Sequence, residues 1–370
     1  MIYLDYNATT PVDKNVYKAM LPYLESQFGN PSNSYELGQF AKKGVEKARK
    51  QVGDLIDANP NEILFTSCGS ESNNTVIKGV AYTYKDKGKH IITSCIEHPS
   101  IIKPLAFLEQ NGYEVTYLPV NKKGAVNPDD LKRAIREDTI LVTIMHSNNE
   151  VGTLQPIEEL GEICREKDIL FHTDASQSLG KVKIDVSNLT VDFLTIAGHK
   201  LYAPKGIGAL YIREELAIEP LIHGAGQEMG RRAGTENVPY AIALGEAAVQ
   251  AKVHLKQNYL FNIREYFYSR LKENFGNKIH LNGDEIQRLP NTLNVSFLGS
   301  VGEDILKALP EICASTGSAC HSGSKTISPV LAAMGVNESV GLGAIRFSVG
   351  RYTTKLEIDH AIDLLIDYFL

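Results

Sequence analysis

The sequence predicts an α/β fold: a large unit with a mostly parallel central sheet, then a smaller α+β unit. Three observations carry that expectation. Between about Asn61 and Arg213, short apolar runs alternate with helix-like stretches, the order of a doubly wound sheet. Several of those runs are apolar almost throughout, as strands covered by helices on both faces are. After Asn237 the alternation stops, and two consecutive helical stretches lead into a mixed tail.

Taken in order, the expected strands are EILFTS (62–67), KHIITS (89–94), YEVTYLPV (113–120), TILVTIMHS (139–147), ILFHTDA (169–175), DFLTIAG (192–198) and GALYIR (208–213). Helical segments such as NPDDLKRAIRED and PIEELGEICREK lie between them. VPYAIALGEAAVQAKVHLKQ and YLFNIREYFYSRLKENF read as helices, the first opened by Pro239, a residue suited to a first helical turn. LNVSF, a Ser/Gly-rich stretch (315–324), AIRFSV and a closing helix (355–369) complete the smaller unit. The expected division is 15–255 for the large domain, with 1–14 and 256–370 forming the small one.

Apolar residues make up 43% and charged residues 22%, a balance that argues against a largely disordered chain. The net charge of −6 gives no basic footprint for nucleic acid. The opening MIYLDYNATTPVD lacks a basic stretch followed by a long apolar one, so a signal peptide is not expected. No apolar run approaches the roughly 20 residues that a membrane span needs. The five cysteines are scattered and odd in number, which fits neither a disulfide framework nor a zinc site. A cytoplasmic protein is expected.

Ligands of open α/β sheets bind beyond the carboxyl ends of the strands. Polar clusters stand there: Cys68 to Glu71, Glu97-His98, Asn148 to Glu150, Asp174 to Gln177, and His199-Lys200. A lysine at a strand end, partly buried beside other groups, loses its proton more readily and can condense with an aldehyde. Asp174 follows an apolar strand and can keep a pyridine nitrogen protonated, with Gln177 three residues on for a phenolic oxygen. Gly69 and Ser70 stand before a helix expected to start near Glu71, a seat for phosphate, although an ordinary serine cap looks the same. His98 is placed to stack on a ring and move a proton. Cys320 lies in a small-residue segment, Ser318 to Gly323, as a thiol that travels requires. The other four cysteines sit in or beside apolar runs, where a small buried hydrophobe is the simpler reading. No glycine-rich dinucleotide or P-loop motif is present.

Assembled, these residues make the chain resemble the cysteine desulfurase and selenocysteine lyase family, class V aminotransferase-like enzymes of fold type I that use pyridoxal 5′-phosphate. The resemblance rests on YLDYNATTP, GNPSNSYELG (29–38), FTSCGSESNN, EHPS, NNEVGTLQPI, FHTDASQSLGK, GHKLYAPKGIGALYIR, RRAGTEN, SACHS and AIRFSVGRYTT, and runs nearly end to end. It implies that Lys200 carries the cofactor covalently, His98 stacks on its ring, Asp174 pairs with its ring nitrogen and Gln177 with its phenolic oxygen. Gly69, Ser70, His199 and Thr235 of the other subunit would hold the phosphate, and Arg346 with Asn149 the substrate carboxylate. It further implies a homodimer, sulfur received on Cys320 from L-cysteine, and delivery to an acceptor such as an iron–sulfur scaffold protein. Two features depart from many relatives: Ser70 stands where they have Thr, and Ala197 where they have Ser, so one phosphate hydroxyl is missing. SACHS is similar to selenocysteine lyases, which keeps release of selenium from selenocysteine as an alternative. Transamination on the same fold, and a non-catalytic scaffold, are the remaining alternatives.

Overall fold

The computed structural model describes residues 1–317 and 326–370. The chain opens with a two-residue strand, β1 (Ile2–Tyr3), and two helices, α1 (Lys14–Glu25) and α2 (Glu36–Ile56). The seven strands of the main sheet follow: β2 (Ile63–Thr66), β3 (His90–Ser94), β4 (Glu114–Leu118), β5 (Thr139–Thr143), β6 (Leu170–Asp174), β7 (Phe193–Ala197) and β8 (Gly208–Ile212). They lie in the order β2-β8-β7-β6-β5-β3-β4. All pairs from β7 across to β4 are parallel, while β8 runs antiparallel to both β7 and β2. The sheet is therefore mixed at one edge and parallel elsewhere.

The central strands are apolar on both faces because both are covered. Ile63 and Phe65 join one core, and Leu64 between them joins the other. The same split separates Ile92 from Ile91, Val142 from Leu141 and Leu194 from Phe193, since successive side chains of a strand point to opposite faces. One layer contains α3 (Gly69–Thr83) and α4 (Pro99–Glu109), which bring Val76, Ile77, Leu105 and Leu108 to the sheet. The opposite layer is larger. It draws on α2, on the connecting helices α5 (Pro128–Ala134), α6 (Ile157–Glu166) and α7 (Val186–Leu189), and on α8 (Val238–His254). Each fully buried Leu, Ile or Phe is worth about 1.5–3 kcal/mol.

Beyond α9 (Tyr259–Phe275), an antiparallel sheet is built from β9 (Ile279–Asn282), β10 (Thr292–Phe297) and β12 (Ala344–Ser348), in the order β12-β10-β9. Between them in sequence, β11 (Ile312–Cys313) pairs in parallel with β1. Ile2 and Leu4 share a core with Phe267, Val295, Phe347 and Ile362, so the first residues pack with the last hundred. The closing helix, Lys355–Phe369, begins with a reciprocal cap between Thr354 and Glu357. Among the described residues no helix is long and apolar enough to cross a membrane.

Candidate active site

The carboxyl ends of β2, β3, β5, β6 and β7 face one cavity of about 390 Å³, within the range of small-molecule sites. The helix α3 begins at Gly69, two residues before the expected start, so Gly69 and Ser70 form its first turn. The Glu71 carboxylate reaches back to accept the Ser67 N–H at 2.8 Å and is gripped by Arg232 at 2.9 Å, which fixes that turn. Burial works to raise the Glu71 pKa, but Arg232 and Ser67 bring it below the usual carboxylate range. A Cβ at Gly69 would stand 3.1 Å from Ser176 Oγ and 3.4 Å from Ala197 Cβ. Glycine thus lets the helix N-terminus, with its unpaired N–H groups, sit close to the strand ends. Cys68, expected as a buried hydrophobe, is half-buried and lines the cavity, because the strand-to-helix turn carries it off the core.

Asp174 ends β6, with Oδ2 accepting from Asn73 Nδ2 at 2.8 Å and Oδ1 from the Ser176 N–H at 2.9 Å. Two residues earlier, His172 lies between the Thr143 hydroxyl at 2.8 Å and the Thr195 hydroxyl at 3.0 Å. Burial pushes its pKa down to about 4, so it stays neutral. His98 caps α4, its Nδ1 accepting the Ser100 N–H at 3.1 Å, which leaves the proton of the neutral ring on Nε2. Burial and nearby Lys200 lower the His98 pKa against the pull of Asp174. Asn73 also donates to Ser100 Oγ at 2.8 Å, so one amide ties the histidine cap to Asp174. Beside His98, Glu97 is buried. Its Oε1 accepts from Ser94 Oγ at 2.6 Å and the Met145 N–H at 2.9 Å. Burial pushes its pKa up to about 8.

His199 and Lys200 sit in a single 3₁₀ turn after β7. Lys200 Nζ donates to the carbonyls of Asn7 and Ala8, the latter at 2.8 Å. Burial, reinforced by Arg346 and opposed by Asp5 and Asp174, lowers its pKa to about 8. His199 is driven to about 4 by burial and by Lys200, Lys205 and Lys181. Arg346, on β12, donates from Nη1 to the Asn149 carbonyl at 3.0 Å and from Nη2 to Asp5 Oδ1 at 2.7 Å. Its Nε is buried without a partner.

Nine residues singled out in the sequence line this cavity: Gly69, Ser70, His98, Asn149, Asp174, Gln177, His199, Lys200 and Arg346. Thr235 does not; it is exposed in the segment leading to α8. Cys320 lies outside the described residues. The sequence names Glu97 only within a strand-end polar cluster and the first segment only as the motif YLDYNATTP, and assigns no role to Asn73, Lys181 or any single residue of that segment. Asn7 and Ala8 line the cavity on the side of the other sheet, with Asn7 Nδ2 reaching Thr292 Oγ1 at 2.8 Å, and Asp5 holds Arg346 behind them. Only the unusual polarity of DYN after two apolar positions signals this, because β1 is too short for any periodicity.

The residues present fit pyridoxal phosphate. An amine already depressed to about 8 faces a carboxylate, a neutral imidazole, an open helix N-terminus and an arginine with an unused N–H. Among the described residues no cluster suits a metal ion.

Comparison with known proteins agrees with this chemistry. The family model described as Aminotransferase class-V matches residues 2–360. A cysteine desulfurase IscS from Dictyoglomus turgidum is 48% identical over 368 residues, covering 98% of this chain and 93% of that one. One from Methanosarcina thermophila is 49% identical over 368 residues, at 98% and 91% coverage. A solved structure described as a NifS-like protein superposes with a TM-score of 0.93 at 37% identity, covering 100% of this chain and 99% of that one.

Proposed function

The chain belongs to the class-V aminotransferase family, among its cysteine desulfurases, and from that premise we propose how its own residues divide the reaction. The protein is a pyridoxal-phosphate enzyme that converts L-cysteine to L-alanine by removing sulfur. When bound, the cofactor supplies an aldehyde for amines and an electron-withdrawing ring that loosens the substrate's Cα–H and C–S bonds.

The observation that carries the assignment of Lys200 is its amine, half-buried in the cavity lining with Asp174 and Arg346 and lowered to about 8. At neutral pH it spends part of its time as the free base, able to bond covalently to the cofactor and then to take a proton at Nζ. Asp174, fixed by Asn73 and Ser176, would hold a proton on the ring nitrogen. His98 would lie against the ring, its own proton at Nε2. Gly69, Ser70 and His199 would hold the phosphate, where Ser70 offers a hydroxyl and Ala197 none. Arg346, steadied by Asn149, grips the substrate carboxylate as a two-pronged donor. Cys320 receives the sulfur: L-cysteine and the Cys320 thiol give L-alanine and a Cys320 persulfide, so every atom is retained.

Replacing Lys200 with Ala should abolish both the visible absorption of the bound cofactor and alanine formation, and turnover at the normal rate would refute the assignment. Cys320→Ser should stop alanine formation from cysteine. One feature favours a second substrate: the segment Ser318 to Ser322 reads SACHS, similar to selenocysteine lyases. If Cys320→Ser still made alanine from selenocysteine but not from cysteine, the enzyme would serve both.

The same reading makes the protein a homodimer in which the exposed Thr235 reaches the partner's phosphate site. It divides the chain into a large domain, 15–255, and a small one, 1–14 with 256–370. Its working place is the cytoplasm, and its persulfide passes to an acceptor protein such as an iron–sulfur scaffold. The odd number of scattered cysteines supports the cytoplasmic part of this reading.

A further inference from the structure

We propose that Lys181 is a positioning residue that fixes the orientation of the Gln177 amide, so that its N–H end is presented to the cofactor cavity. The inference rests on the reading above, in which Gln177 donates to the cofactor's phenolic oxygen. The two ends of a primary amide have the same shape, and only their partners decide which way it points. Gln177 Nε2 donates to the Asn7 carbonyl at 2.9 Å, an acceptor that cannot donate. Its Oε1 accepts from Lys181 Nζ at 3.0 Å, a donor that cannot accept while charged. The Asn7 contact excludes the flipped amide by itself, the Lys181 contact adds to it whenever that amine is protonated, and one N–H of Nε2 is left for the cavity that Gln177 lines.

The backbone is shaped to make that contact. After Gln177 the chain turns at Gly180, φ +73°, and the Lys181 N–H returns to the Ser178 carbonyl at 3.0 Å. A Cβ at Gly180 would collide with Leu201 and stand 3.0 Å from Ala251 Cβ, so the turn admits only glycine. Lys181 Nζ is held on its other side by Asn7 Oδ1 at 3.4 Å, and Asn7 Oδ1 is itself steadied by Asn291 at 3.0 Å. The Asn7 backbone carbonyl that accepts from Gln177 also receives Lys200, so Asn7, Gln177, Lys181 and Lys200 form one hydrogen-bonded group. The charged groups acting on the two amines are each other, Arg346, Asp5 and Asp174. Burial, then Lys200 and Arg346, hold the Lys181 amine well below the ordinary lysine range.

The test loads wild type, Lys181→Met, Gln177→Met and the double variant with pyridoxal phosphate. It reads the pH midpoint of the bound cofactor's visible absorption and the cofactor's dissociation constant. Lys181→Met should raise the midpoint by about one pH unit and weaken retention. In the Gln177→Met background the same substitution should move the midpoint less than half as far. A midpoint that Lys181→Met leaves in place, or moves equally with and without Gln177, overturns the proposal. If Lys181→Met does not fold, Lys181→Arg, which keeps charge and donors, should hold the wild-type midpoint. Displacement to the Gln177→Met value would overturn it. A wild-type protein that never acquires the visible band would fail the cofactor reading itself, a distinct outcome.

Discussion

Glu97 and Lys200 carry opposite charges when ionised, and burial drives both towards neutrality. The Glu97 carboxyl is pushed from an ordinary value near 4.5 to about 8, so at neutral pH most of it is protonated in the folded chain. A group whose folded pKa is raised stabilises fully below its unfolded pKa and loses that contribution as pH rises through the folded value. The wild type should therefore weaken between pH 5 and 8 relative to Glu97→Gln, which keeps the acceptor for Ser94 and Met145 without the ionisation. Urea midpoints of both proteins at the two pH values test this, and a difference that does not grow with pH removes Glu97 from the account. For Lys200 the neutral amine is the reactive form. Capture of pyridoxal phosphate by the apoprotein should accelerate as pH rises and level off above about 8, followed by absorbance after mixing. Acceleration continuing to the ordinary lysine value of 10.5 would mean that burial does not govern this amine.

Three neighbouring strands, β5, β6 and β7, share a polar rung inside an otherwise apolar sheet: Thr143, His172 and Thr195. The rung sits two residues below Asp174 on β6 and gives the imidazole a partner at each nitrogen. His172→Leu leaves two buried hydroxyls without that partner and should cost about 2–4 kcal/mol in chemical denaturation. The sign of the pH effect also follows. The folded pKa of about 4 lies below the unfolded 6.5, so this contribution is present above 6.5 and lost as pH falls towards 4. The His172→Leu variant should lose less stability than wild type over that interval. Equal losses would assign the acid sensitivity elsewhere, with His146, also lowered to about 4 by burial, the next group to replace.

Across the whole molecule, the cavity is closed by segments far apart in sequence. Asp5, Asn149 and Arg346 meet at one end, and Asn7 joins β10 to Gln177 and Lys200. Thr235 stands apart, held in a segment that the buried Arg49–Glu228 pair anchors at 2.7 Å. If it completes a partner's phosphate site, Thr235→Ala should raise the cofactor's dissociation constant about tenfold or more without changing the fold. Equilibrium dialysis at protein concentrations spanning dimer dissociation measures it, and unchanged retention would place Thr235 outside the site. By itself, the sequence determined the elements and the reactive side chains. Two-sided burial leaves runs such as ILF and FLTIA legible, and strand-end polar clusters are local signals that need no partner to be seen. Only the tertiary structure decided how these residues come together. The roles of Asp5, Asn7 and Lys181, the start of α3 at Gly69, and the exposure of Cys68 to the cavity depend on contacts between distant segments. Such contacts have no period in the chain, and a two-residue strand or a glycine turn gains its meaning from what packs against it.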